Sequence, residues 1–386
     1  MQLSKMALSL GQSATLRLNE LANNLKAEGK PVIHLGGGEP EEKIPDGAYA
    51  ASLKKLDSRY VRYTATSGVA DLKAGIAAYT EKHYGMRPAA GNIVVSSGAK
   101  QAIYNFLLSV VNPDDEVIFP APYWVSYPEM VRMAGGEPVI IRPEPGTVVP
   151  TLEQFKAAFN QHTKAVMLNS PNNPSGAVFS EDFIKGLVEL CERCGVWLMM
   201  DDIYNRLVFD GKKAPSAFAF SKKPPDESII VSINGVSKTF SMTGFRIGWS
   251  VAQAPLTKAM VKVQAQVTSC PSALSQAAAA GALAESGEFV EKLRKGLEGK
   301  RDVMVAELAK LKKVKLHKPQ GTFYSFPDFS AYDKDSTKLS NMLLEKAMVV
   351  AVPGVEFGLE GHLRLSYCGA EKDIIEGVSR IRKVLD

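Results

Sequence analysis

The chain has 386 residues, 45% hydrophobic and 23% charged, with Lys+Arg 46 against Asp+Glu 41 and a net charge of +5. These ordinary globular values exclude a disordered chain, a collagen-like repeat and a small disulfide-stapled scaffold, and at about 150 residues per domain the length allows two or three domains. The slight basic excess forms no dense Lys/Arg run, so no nucleic-acid partner is expected, and no apolar run nears the ~20 residues of a membrane span.

In chain order, the opening ten residues hold too short an apolar stretch for a signal peptide, so a cytoplasmic location is expected. Leu18, Leu21, Ala22 and Leu25 then mark an amphipathic helix that Gly29 and Pro31 end. A turn follows at Gly36-Gly37-Gly38-Glu39-Pro40. Beyond it, short apolar runs alternate with helical periods at 100–111, 151–159 and 181–194. The runs are Ile93–Val95, Val117–Phe119, Val139–Ile141, Ala165–Leu168, Val196–Met200, Ile229–Ile233 and Ile247–Val251. Most are continuous rather than alternating, as strands buried on both faces should be. The fold class predicted is α/β: a mainly parallel seven-stranded sheet flanked by helices.

The helix at 181–194 carries Cys191 and Cys194. Their i,i+3 spacing puts both on one face, where they are expected as core thiols. With four cysteines in all, no disulfide framework is expected, and no second pair completes a zinc site. The five histidines (His34, His83, His162, His317, His362) are scattered, so no metal is expected either.

After Val267–Pro271 the texture changes. A small-residue helix at 272–285 precedes a long one with Leu293, Leu297, Met304, Leu308 and Leu311 on one stripe. Strand candidates Thr322–Phe326, Val349–Val352 and Leu363–Ser366 and a last helix through Ile374, Ile375, Val378, Ile381 and Leu385 read as a smaller α+β domain. The division expected is 1–45 as an N-terminal arm and part of the small domain, 46–280 as the large domain, and 281–386 as the small C-terminal domain.

Ligands of open parallel sheets bind at the carboxyl ends of the strands, and polar residues collect there. Ser97-Gly98-Ala99-Lys100 opens a helix, where exposed N–H groups make an anion cradle. Asn169-Ser170-Pro171-Asn172-Asn173-Pro174-Ser175-Gly176 makes a rigid polar loop. Asp201 and Asp202 stand at a buried strand end, where a carboxylate needs a positive partner. Lys238 follows another buried strand in a segment with few charges. Desolvation there frees a neutral amine able to form a Schiff base. Arg246, in the same context, suits a phosphate. Together these groups match what pyridoxal phosphate needs.

Four segments carry a family resemblance: Ala-Pro-Tyr-Trp-Val-Ser-Tyr-Pro at 121–128, Ser-Pro-Asn-Asn-Pro-Ser-Gly at 170–176, Asp-Asp-Ile-Tyr at 201–204 and Ser-Lys-Thr-Phe-Ser-Met-Thr-Gly-Phe-Arg-Ile-Gly at 237–248. In kind and order they resemble the class I aminotransferases of fold type I, above all the bacterial aspartate and prephenate branch. The resemblance implies pyridoxal 5′-phosphate held covalently by Lys238, which would also move the proton between Cα and C4′. It implies that Asp201 pairs with the ring nitrogen and that Asn173 and Tyr204 hydrogen-bond the ring oxygen. Trp124 would stack on the ring, and Gly98, Ala99 and Arg246 would bind the phosphate. Tyr63 would reach the phosphate of a neighbouring subunit, implying a homodimer with shared sites. Arg364 would grip the substrate α-carboxylate with Gly38 beside it, and Lys100 would meet a distal carboxylate.

The activity implied is transfer of the amino group of L-aspartate to 2-oxoglutarate by a ping-pong mechanism. The alternatives are an alanine, aromatic, prephenate or broad-specificity aminotransferase, or a β-lyase. The sequence departs from the family pattern at several positions, of which Asp202 and Ser175 are conservative changes near, not at, the cofactor, while Glu41-Glu42 and Gly11 bear on substrate choice. Asp202 replaces a Glu and Ser175 a Thr, Glu41-Glu42 stand for Asp-Phe, and Gly235 stands where other branches carry a phosphate-binding Ser. Gly11 stands where prephenate-active relatives carry a cation, which argues against prephenate.

Overall fold

A computed structural model describes residues 2–11, 14–285 and 287–386. Its strands are β1 (Ile33–His34), β2 (Ile93–Ser96), β3 (Glu116–Pro120), β4 (Glu137–Ile141), β5 (Thr163–Asn169), β6 (Trp197–Asp201), β7 (Ile230–Gly235), β8 (Gly248–Val251), β9 (Tyr324–Ser325), β10 (Val349–Val350), β11 (Val352–Pro353) and β12 (Leu363–Ser366). Every residue of β2, β7 and β8 is buried, which explains the unbroken apolar runs. Seven strands form one sheet in the order β2-β8-β7-β6-β5-β3-β4. The pairs β3·β4, β3·β5, β5·β6 and β6·β7 are parallel. β8 runs antiparallel to both β7 and β2. The segment joining β7 to β8 contains only the short 3-10 turn Thr243–Phe245, and a parallel return needs a longer crossover, usually helical.

The sheet is covered on both faces. Along β5, Ala165 and Met167 join the cluster built on Ile103 and Phe106 of the helix Ala99–Val110. Val166 and Leu168 join the cluster of Ile184, Leu187 and Val188 from the helix Glu181–Cys194. That alternation is the two-residue period of a strand.

Two smaller sheets complete the fold, β1·β10 and β11-β12-β9. Pairing of Ile33 with Val349 and His34 with Val350 ties the N-terminal segment to the C-terminal third. Ile33 and Leu35 share one core with Leu293, Leu297, Met304, Leu308, Leu363, Ile374 and Ile381. The expected run Val349–Val352 is split at Ala351, because β10 pairs with β1 while β11 pairs with β12. The run Thr322–Phe326 shortens to Tyr324–Ser325, behind Thr322 at φ 66°.

Cys191 is buried but Cys194 is exposed, which corrects the expectation of two core thiols. Three residues advance about 300° around a helix axis. Cys194 is also the last helical residue before Gly195, which turns the chain away at φ 66°.

Candidate active site

The carboxyl ends of β5, β6 and β7 converge on one cleft with the helix start at Ala99 and strand β12. At its floor, Asp201 ends β6 and is buried. Tyr127 donates its hydroxyl to Asp201 Oδ2 at 2.6 Å. The Ile203 N–H reaches Oδ1 at 3.4 Å, and Asn169 Nδ2 donates to the Asp201 carbonyl at 2.8 Å. Burial raises the Asp201 pKa to about 6, while Tyr127 and, at longer range, Lys238 pull it down. Among the described residues no cation forms an ion pair with it. The neighbouring Asp202 is buried too, accepts from Ser232 Oγ at 2.6 Å, and is pushed up to about 8 by burial.

Lys238 follows β7 and donates to the Gly38 carbonyl at 2.7 Å. Burial lowers its pKa to about 8 against the pull of Glu39. At neutral pH about one such amine in ten is uncharged, far more than for an ordinary lysine. Its Nζ also lies 5.9 Å from the centre of the Phe323 ring.

Arg364 lies on β12 with its side chain buried. Nη1 donates to Asn173 Oδ1 at 3.1 Å and Nη2 to the Gly36 carbonyl at 3.0 Å. Its guanidinium carbon lies 4.4 Å from the Tyr324 ring centre and 5.0 Å from that of Phe357. The Arg364 Nε is buried without a partner among the described residues, an orphan donor that a carboxylate ligand would satisfy. Asn173 is placed by its own N–H, which donates to Asn169 Oδ1 at 2.7 Å. Tyr204 is buried against Phe323 and Tyr324, and burial holds its pKa well above the usual phenol value.

Gly98, at φ 91°, caps the helix Ala99–Val110. A Cβ there would overlap the Arg246 guanidinium, and one at Gly248 would overlap the backbone of Ala99. Glycine at both positions therefore lets β8, Arg246 and the helix start close into one cradle. The first-turn N–H groups of such a helix have no carbonyl within it. A side chain at Gly235 would press on the Ile247 carbonyl and the Gly248 Cα, which explains the absence of Ser there.

Lys100 Nζ stands 4.8 Å from the Trp124 ring centre. Burial and then Arg246 lower its pKa. Trp124 in turn meets Tyr127 edge-on at 5.6 Å.

The cleft thus brings together Lys238, Asp201, Tyr204, Asn173, Arg364, Gly38, Gly98, Ala99, Arg246, Lys100 and Trp124. Tyr63 is the exception, standing out from the surface at 92% exposure. Sequence reasoning missed Tyr127 and Tyr324. Tyr127 lies three residues after Trp124, across a turn closed by its N–H on the Trp124 carbonyl at 2.9 Å, and that spacing was the available signal.

The family of class I and II aminotransferases matches residues 30–381, and the chain belongs to it. It is 37% identical to the aspartate aminotransferase of Streptomyces avermitilis, over 98% of this chain and 95% of the relative. It is 38% identical to a probable aspartate/prephenate aminotransferase of Aquifex aeolicus, over 98% and 97%. The solved aspartate aminotransferase of Thermus thermophilus with maleate superposes with a TM-score of 0.95 at 34% identity, covering 100% of both chains.

Proposed function

We propose that the chain binds pyridoxal 5′-phosphate on Lys238 and moves the amino group of L-aspartate to 2-oxoglutarate in a ping-pong cycle. One observation carries this reading: the Lys238 amine, held by the Gly38 carbonyl at 2.7 Å, shares the cleft with the buried Asp201 carboxylate, which no cation pairs among the described residues. The residues fit the cofactor. Asp201 lacks the cation that a protonated ring nitrogen provides, and the cradle of Gly98, Ala99 and Arg246 suits a phosphate. When bound, the cofactor supplies an electron sink for the substrate carbanion.

The chain's own residues do the rest. Lys238 takes the proton from the substrate Cα with its neutral amine. Asp201, braced by Tyr127, holds the ring nitrogen charged. Asn173 and Tyr204 hold the ring oxygen, and Trp124 covers the ring face. Arg364 binds the α-carboxylate through two parallel hydrogen bonds, beside Gly38. Lys100 meets the distal carboxylate, a reading supported by the Thermus relative, which was solved with the dicarboxylate maleate. Tyr63 completes the phosphate site of a second copy, making a homodimer with shared sites. Among the described residues no helix is long and apolar enough to cross a membrane. The location proposed for the enzyme is the cytoplasm. The division into 1–45, 46–280 and 281–386 is supported by the β1·β10 pairing.

A panel of amino donors and keto acceptors tests the substrate, comparing wild type with Lys100→Ala. Activity on aspartate should fall far more than activity on alanine. Equal losses on both, or conversion of the cofactor spectrum only by an apolar or aromatic donor, would move the substrate to one of the alternatives. Gly11 has no atom within 4 Å of the position a Cβ would take and brings no cation, so prephenate is not expected to be taken.

A further inference from the structure

A second cleft, of about 340 Å³, opens beside the catalytic one. Asp202 and Asn205, next along the chain from Asp201 and Tyr204, line it. Its rim carries Arg206, Lys212, Lys213 and Arg294. Arg294 is already neutralised, by Glu291 at 2.8 Å and Glu298 at 2.7 Å. The other three cations form no ion pair among the described residues. Arg206 Nη1 instead lies 2.9 Å from His83 Nε2. A guanidinium only donates, so this imidazole nitrogen accepts and the ring is neutral. Burial, followed by Arg206, Lys82 and Lys213, lowers the His83 pKa to about 4, which agrees with that geometry.

The contrast with another charged hollow is informative. Where Lys222 and Lys223 line a cleft with Glu189 and Glu192, Lys222 pairs with Glu189 at 3.9 Å. Around Arg206 like charges gather, and the glutamate that lines the same cleft, Glu291, is taken by Arg294. Concave positive surfaces of this kind concentrate anions, and the volume lies at the small end of ligand pockets, roughly 300–1,000 Å³. Asp202 at the floor, with its raised pKa, adds little negative charge at neutral pH.

We propose that this cleft binds a small, multiply charged anion, a phosphate ester or a polycarboxylate, between Arg206 and the Lys212–Lys213 pair. Its walls touch the elements that carry the catalytic groups. Tyr84 accepts from Asn234 Nδ2 at 2.9 Å, and Asn234 stands near the end of β7, just ahead of Lys238.

Calorimetric titration of the holoenzyme tests the site, with inorganic phosphate in one arm and citrate in the other. Saturable binding of either is expected, weakened about tenfold or more in Arg206→Gln and in the double variant Lys212→Gln/Lys213→Gln, since each removes charge-assisted hydrogen bonds. Both variants should keep basal transaminase activity, because none of these residues touches the catalytic cleft. If Arg206→Gln fails to fold, the lysine variant alone decides. Binding of phosphate only assigns a phosphate ester, and binding of citrate only a polycarboxylate. No saturation by about 10 mM in wild type, or undiminished binding in the folded variants, overturns the proposal and leaves the role of Lys238 untouched.

Discussion

The floor and the rim of the catalytic cleft are built on opposite terms. On the floor, Asp201, Tyr127, Tyr204, Asn173 and Arg364 are buried, and protein neighbours fix the orientation of each. On the rim, Lys100 and Arg246 are exposed and Tyr63 almost fully so. Burial shifts the floor's proton affinities, pushing Asp201 up to about 6 and Lys238 down to about 8. The rim keeps charge available for ligands, and on the proposed reading the exposed Tyr63 would reach a second copy. The floor therefore decides what chemistry is possible, and the rim decides which molecule receives it.

If that division holds, losses should shrink from floor to rim. Lys238→Ala is expected to lower turnover by about ten-thousand-fold or more, since it removes both the attachment point and the base; a steady-state assay checks this. Asp201→Asn keeps the shape but leaves a buried ring cation unpaired, a loss of about 3–5 kcal/mol read as a fall in kcat of roughly 150-fold to 5,000-fold. Arg364→Lys gives up the planar fork, and kcat/KM for every amino donor should drop by about ten- to a hundred-fold. A larger loss from Arg364→Lys than from Asp201→Asn would break the ordering.

Burial next to the floor also leaves a mark on stability. Asp202, lifted by burial to about 8, keeps a proton in the folded chain that the unfolded chain releases near pH 4. Where the folded state binds more protons, stability falls as pH rises. The lowered histidines His34 and His83 act in the opposite sense, but below about pH 6.5, where an unfolded histidine titrates. Between about pH 6.5 and 8, the denaturation midpoint of the cofactor-free chain should therefore decline, and Asp202→Asn should flatten the decline. An equal slope in both proteins would contradict the assignment. The smallest effect belongs to the surface thiol. Cys194→Ser should change stability by less than about 0.5 kcal/mol, whereas Cys191→Ser, at a fully buried position, should cost clearly more.

Much of the fold was legible because β2, β5, β6 and β7 are buried on both faces, which writes continuous apolar runs into the sequence. The antiparallel course of β8 was not, since direction depends on the connection rather than on composition. Nor was the split between β10 and β11, which partners from two distant segments impose. In the site, Lys238, Asp201 and Arg364 stood out as charges in apolar settings. Tyr127 did not, because an aromatic residue on the buried side of a helix reads as core until the fold sets its hydroxyl against Asp201. Asp202 looked like a companion to Asp201, yet it lines a different cleft.

The most direct measurement is borohydride reduction of the protein loaded with pyridoxal phosphate, followed by peptide mapping. The fixed adduct is expected on the peptide containing Lys238, and it should vanish in Lys238→Ala. An adduct on another lysine, or none in a protein that still transaminates, would contradict the central claim.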